Sequence, residues 1–322
     1  MNNRIVIITG ANSGIGRAAA TKFAEEGYHV IMACRNLEIS REVQKQIVEV
    51  TKNEKVELME LDVSSFASIR EFCSQFWNKF DKLDILIHNA AYLNHGEKVY
   101  QLSKDNIELT FATNTFGPYL MTNLMREHLA KSEDPRILHA CTTNIRHFFD
   151  TKRKLELDNL HGEYKDSQPY NVYKRYGDSK MALLMLTFKF AEEFKEAGIQ
   201  VNAIQIPAVK LSKETIKKLS PFFRVLAWMQ HPFATSPESM ANIYYEICTS
   251  DKFRNITGKL INEYGQIVKV SEYGTSFIED IKQFKDKRVY PKYADNEEMK
   301  EIIWSLCKNL TCNKFEVKKI QH

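Results

Sequence analysis

Three places in this 322-residue chain combine residue types at spacings that chemistry requires. Tyr176 and Lys180 stand four apart in YGDSK, so in a helix they share one face. A phenol has an ordinary pKa of about 10, too high for a base near neutrality, and a nearby ammonium lowers it by favouring the phenolate. The pair is therefore a candidate proton-transfer device, although a surface Tyr–Lys pair meets the spacing as well. The second place is TGANSGIG, from Thr9 to Gly16, where Gly10, Gly14 and Gly16 surround Asn12, Ser13 and Ile15. Glycines there let the backbone turn sharply and let a pyrophosphate approach the start of the next helix, where free N–H groups and the helix dipole favour an anion. The third is Arg35 in ACRN, whose planar fork of donors suits a phosphate; an exposed loop arginine is the plainer reading.

These groups need a scaffold of strands with helices behind them, and the hydrophobic pattern predicts one. RIVIIT (4–9) reads as a first strand and GIGRAAATKFAEEG (14–27) as its helix, so the glycine turn sits between them. HVIMAC (29–34), KVELMEL (55–61), LDILIH (83–88), RILHAC (136–141), IQVNAIQI (199–206) and GKLIN (258–262) continue the strands. Helices are expected over 64–80, from about 105 to 130, from about 171 to 197 and near 297–310. Alternation of helices with continuous apolar strands means a parallel sheet covered on both faces. The expected fold class is α/β, a doubly wound parallel sheet of about seven strands in a single domain over 1–270, with a C-terminal helical extension at 271–322.

Composition narrows the function. The chain is 43% hydrophobic and 27% charged, with a net charge of +4 spread over both signs, so no basic face for nucleic acid is indicated. Six scattered cysteines without a C-x-x-C pair point to reduced thiols rather than zinc or disulfides. No apolar run approaches the roughly 20 residues that span a bilayer, and MNNRIVIITG opens directly into a strand, which predicts no secretory leader. The expected location is cytoplasmic, with shallow peripheral contact with a membrane and a homo-oligomer both allowed.

The spacing G-x-x-x-G-x-G resembles that of the short-chain dehydrogenase/reductase superfamily, and later motifs follow in that family's order. Asp62-Val63 is similar to the family's adenine-contacting pair, although a strand cap would also account for Asp62. His88-Asn89-Ala90-Ala91 resembles its N-N-A-G turn, with Asn89 and Ala90 retained and with His88 and Ala91 as departures. Asn114 in NTFGPYL resembles the catalytic asparagine, and Tyr176 to Lys180 the Y-x-x-x-K motif. The long gap between Thr142 and Tyr176 and the wording ACRN and YGDSK look closest to the retinol-dehydrogenase-like branch. The resemblance spans about 1–262 and implies a Rossmann-type fold. It also implies that Tyr176 exchanges a proton with a substrate oxygen, that Lys180 holds the nicotinamide ribose, and that Asn114 holds a water in the relay to Lys180. Thr142 in HACTTN stands where the family has its catalytic serine, with Thr143 the alternative, and Pro207-Ala208 stands for the family's Pro-Gly beside the nicotinamide.

Ala91 and Ala208 each add a Cβ, which is penalised wherever φ is positive. That penalty, with the β-branched Thr142, keeps open a dinucleotide-binding protein with weak or lost catalysis that acts through partners. The leading expectation is an oxidoreductase of a small lipophilic carbonyl or alcohol. NADP(H) is expected rather than NAD(H), because the end of the second strand carries Arg35 and no acid. Apolar residues at 221–233 (PFFRVLAWMQHPF) resemble the family's substrate lid; a membrane contact or a core helix are the other readings. His139, His147 and His161 show no ligand spacing and read as ordinary core or loop histidines.

Overall fold

A computed structural model describes residues 3–210, 234–272 and 277–312. The apolar segment at 221–233 lies outside the described residues. The strands are β1 (Ile5–Thr9), β2 (His29–Cys34), β3 (Val56–Glu60), β4 (Ile85–His88), β5 (Arg136–Thr142), β6 (Gln200–Ile206), β7 (Leu260–Ile261), β8 (Ile267–Val270) and β9 (Val289–Tyr290). The helices are α1 (Gly14–Glu25), α2 (Leu37–Thr51), α3 (Phe66–Trp77), α4 (Leu109–Phe111), α5 (Gly117–Leu129), α6 (Val172–Glu193), α7 (Pro237–Thr249), α8 (Phe277–Lys285) and α9 (Glu297–Thr311).

One sheet runs in the order β3-β2-β1-β4-β5-β6-β7-β8-β9. The first seven strands in that row are parallel, and each of β1, β4 and β5 is buried along its whole length. Burial on both faces is why these strands read as continuous rather than alternating apolar runs. Helices α3, α5 and α6 cover one face and α1, α2 and α7 the other. The chain order reverses between β1 and β4, which opens a crevice beyond the carboxyl ends of those strands.

The doubly wound parallel sheet expected from sequence is the fold observed, with two strands more than the seven anticipated. β8 turns back antiparallel on β7, and β9 then pairs parallel with β8. Both are too short for periodicity to register. Helix α9 docks on the face formed by α5 and α6: Trp304 meets Phe190 at 4.9 Å and Tyr119 at 5.0 Å, edge to face, while Ile303 and Cys307 are buried in the same core. No described helix is long and apolar enough to cross a membrane.

Candidate active site

The turn after β1 brings backbone close to backbone. Gly10 and Gly14 adopt φ of +65° and +52°, a region that costs a residue with a Cβ. A Cβ on Gly16 would lie 2.3 Å from the Gly10 carbonyl oxygen and 2.5 Å from Asn89 Nδ2, so only glycine lets α1 pack this closely on the turn. Thr9 locks the arrangement from beneath. Its Oγ1 accepts the N–H groups of Asn89 (3.0 Å) and Ala90 (2.9 Å), and Asn89 Nδ2 donates to Thr9 O at 3.0 Å. Asn89 is therefore a clamp between β1 and β4, further held by the Tyr244 hydroxyl at 3.3 Å. Gly16→Ala should lower dinucleotide affinity at least tenfold and destabilise the fold by about 1–3 kcal/mol, because backbone must move to admit the methyl; titration calorimetry and thermal melting measure the two effects.

The turn fits the pyrophosphate of a dinucleotide. Ser13, at the N-cap of α1, is exposed and makes no side-chain capping bond, and the first turn carries no acid. The first amides of a twelve-residue helix thus remain available to an anion. Asn12 and Ile15 are half-buried at the turn, and a Cβ on Gly14 would meet nothing within 4 Å. Arg35 follows β2, exposed, with no hydrogen bond or ion pair among the described residues, while the neighbouring Asn36 caps α2 by accepting the Ile39 N–H. Asp62 is half-buried. Its Oδ1 accepts both the Ser64 N–H (3.0 Å) and the Ser64 hydroxyl (2.7 Å), so one carboxylate oxygen performs the capping task that the sequence also allowed.

Asn114 sits, 0% exposed, in a π-helical segment from Ala112 to Phe116. Such a bulge adds a residue to one helical turn and re-aims a side chain. The uninterrupted helix expected from about 105 is instead α4, this bulge and α5. Asn114 Oδ1 accepts the Tyr92 N–H at 2.8 Å, and Nδ2 donates to Tyr92 O and to Ser179 Oγ, both at 3.1 Å. Gly117 ends the bulge where a Cβ would fall 2.1 Å from the Val63 carbonyl, so Val63 abuts the bulge directly. Thr9, Gly117, Tyr92 and Ser179 were not singled out from sequence; the glycine ahead of proline in NTFGPYL was the one readable sign of close approach.

Thr142, Tyr176 and Lys180 converge at the carboxyl end of β5. Thr142 is buried there, and its Oγ1 accepts the Asn144 N–H at 3.2 Å, which leaves its own hydrogen to donate. Lys180 is 1% exposed and donates to the Ala140 carbonyl at 2.7 Å, with Nζ 5.9 Å from the centre of the Tyr176 ring. Burial pushes the Tyr176 phenol up to about 12, against a hydrogen bond with Thr142 that pulls it down. The lowering anticipated from the ammonium is thus reversed, because desolvation of the phenol wins. Burial likewise lowers Lys180 to about 8. Once the hydrogen bond between them gives way to a substrate oxygen, the protonated phenol and the Thr142 hydroxyl can each donate to that one oxygen.

Pro207 is half-buried just past β6, whose last residue, Ile206, is in register with Thr142. Ala91 and Ala208 are both exposed, and neither has a positive φ. The backbone penalty expected at the two alanines is absent, because these positions adopt conformations open to any residue. His147 is exposed in a 3-10 helix (Thr143–Phe149) after β5 and His161 is exposed in a loop, whereas His139 is wholly buried in β5.

The family model described as short chain dehydrogenase matches residues 4–147. Mouse retinol dehydrogenase 12 is 30% identical over 261 residues, covering 81% of this chain and 78% of that protein. Mouse retinol dehydrogenase 13 is 29% identical over 262 residues, 80% and 74% of the two chains. Among solved structures, a short-chain dehydrogenase from Shigella flexneri complexed with NADP has a TM-score of 0.62 at 21% identity, over 82% of this chain and 98% of that one. An uncharacterized protein from Mycobacterium paratuberculosis has a TM-score of 0.66 at 22% identity, over 96% and 93%. The structures carry the fold, and the retinol dehydrogenases carry the kinship. With the glycine turn at the head of α1 and the tyrosine–lysine pair beside β5 in one chain, the protein belongs to the short-chain dehydrogenase/reductase superfamily, as an oxidoreductase of its retinol-dehydrogenase-like branch.

Proposed function

We propose that this protein interconverts a carbonyl and an alcohol on a lipophilic small molecule, using NADP(H), with Tyr176 as the acid and base. The observation that carries this reading is the Tyr176–Thr142 hydroxyl pair standing over buried Lys180 at the crevice. When bound, the nicotinamide supplies the hydride for reduction and takes it up in oxidation. Thr142 directs its free hydrogen at the substrate oxygen and Tyr176 delivers the proton to it. Lys180 contributes a positive charge below the phenol, and the remaining ammonium hydrogens are its means of holding a ribose. Asn114 fixes the strand-to-helix connection around Tyr92 and the Ser179 end of the catalytic helix. A lipophilic substrate agrees with relatives named retinol dehydrogenases and with the apolar residues at 221–233.

Arg35 supports NADP(H). An exposed guanidinium with no hydrogen bond or ion pair among the described residues, after a strand that ends without an acid, is suited to the extra phosphate of the adenine ribose. Arg35→Ala should cost about ten- to a hundredfold in NADPH affinity, the loss of one charge-assisted bond, and leave NADH affinity nearly unchanged. Fluorescence titration with both cofactors reads this directly, and equal losses for both would reject the assignment. The activity itself is tested with a panel of apolar aldehydes, ketones and their alcohols and either cofactor. A protein that binds the cofactor yet turns over none of them, or prefers small polar hydroxy acids, refutes the proposal.

A further inference from the structure

Two histidines stand against Lys180 without a part in the chemistry above. His88 ends β4, His139 lies in β5, and the parallel register sets them side by side. They are 2% and 0% exposed, with ring centres 5.0 Å apart. Each ring spends one nitrogen on a threonine of a covering helix. His88 Nε2 is 2.9 Å from Thr122 Oγ1 in α5, and His139 Nδ1 is 2.9 Å from Thr187 Oγ1 in α6. The other two nitrogens, His88 Nδ1 and His139 Nε2, are buried and have no hydrogen-bond partner among the described residues.

The threonines decide the tautomers. Thr187 Oγ1 already donates its hydrogen to the Leu183 carbonyl at 2.8 Å, so it can only accept from His139. The hydrogen is then on Nδ1, and His139 Nε2 is a bare lone pair. Thr122 has no other acceptor for its hydroxyl among the described residues, so it donates to His88 Nε2, and His88 Nδ1 carries the hydrogen. The pair therefore offers one unmatched donor and one unmatched acceptor. A water accepting from the first and donating to the second satisfies both.

Lys180 faces the same place. Its ammonium donates to Ala140 O, between His139 and Cys141 in β5. The titratable groups around it are His88 from β4, His139 and Cys141 from β5, and Tyr176 from its own helix. Burial lowers His88 to about 3 and His139 well below its ordinary value, so both rings are neutral beside the ammonium. The Asn114 side-chain oxygen, the atom that could accept from the ammonium, already accepts the Tyr92 N–H at 2.8 Å.

We infer that His88 and His139 hold a single water beneath Lys180, and that this bridge solvates the ammonium and sets the pH range over which the lysine stays charged. Both are positioning residues acting through Lys180; their bearing on turnover rests on the function proposed above, but the bridge does not. Histidine ¹⁵N NMR on the full wild-type chain should show both rings neutral from pH 5 to 8 and protonated on Nδ1, and a high-resolution crystal structure should show the bridging water. Either ring in the other tautomer, or titrating in that range, overturns the inference. In His139→Leu the bare acceptor is gone, and the Lys180 titration midpoint, followed by its ¹³Cε resonance without substrate, should fall by about one pH unit. His139→Asn, which keeps an acceptor, should restore most of that shift. An unmoved midpoint in the leucine variant overturns the proposal, and if that variant does not fold, the wild-type tautomers still decide.

Discussion

Tyr176→Phe is expected to lower turnover by a factor on the order of 10²–10⁴, the range typical of losing a general acid, while the fold and cofactor affinity persist. Phenylalanine keeps the ring and deletes only the hydroxyl beside Thr142. The direction of the pKa shift makes a second expectation. With the phenol at about 12, Tyr176 is protonated throughout the neutral range. Carbonyl reduction, which needs the acid and a charged Lys180, should therefore be nearly flat from pH 6 to 7 and decline as the lysine loses its proton around 8. Alcohol oxidation, which needs the base, should rise about tenfold per pH unit from pH 6 to 7, since the phenolate fraction does. Initial rates in both directions measure this, and an oxidation rate flat with pH would show that the phenol is not the group titrating. Thr142 separates in the same assay: Thr142→Ser should hold or raise activity, whereas Thr142→Val should cost about 1–3 kcal/mol in kcat/KM. If Thr142→Val matches the wild type, the orienting hydroxyl is another, with Thr143 next in the chain.

Lys180→Met should abolish most turnover and at the same time make the protein more stable. The lysine is 1% exposed, and its pKa falls from 10.5 to about 8 on folding. Between those two values the unfolded chain binds more protons, so stability rises with pH through that window and the penalty is complete below pH 8. A shift of that size corresponds to about 3 kcal/mol. Methionine removes the buried charge but forfeits the bond to Ala140 O, a loss of about 1 kcal/mol, so a net gain of about 1–2 kcal/mol is expected at pH 7. Denaturant unfolding at pH 7 and pH 10 checks the sign: the advantage of the methionine variant should shrink at the higher pH. An equal advantage at both would mean the ammonium is not what burdens the fold. A stabilised but inactive methionine variant would mark Lys180 as a group kept for chemistry against a stability cost.

The parts of this protein that could be read from its sequence are those set by local periodicity. Continuous apolar strands alternating with helices could only pack as a parallel sheet covered on both faces, and the glycine turn between β1 and α1 could only sit at the sheet's carboxyl edge. Tyr176 and Lys180, four apart in α6, had to share a helical face. What escaped the sequence was decided by groups distant along the chain. β8 and β9 exist because β7 offers an edge, not because their few residues demand it. Asn114 is held by Tyr92 and Ser179, 22 and 65 positions away, through a π-bulge that no periodicity announces. The sign of the Tyr176 shift turns on desolvation of the phenol, and the lack of strain at Ala91 and Ala208 on backbone angles set by their neighbours. Sequence spacing determines which side chains share a face; burial and pairing, which belong to the folded whole, determine what protons those side chains carry.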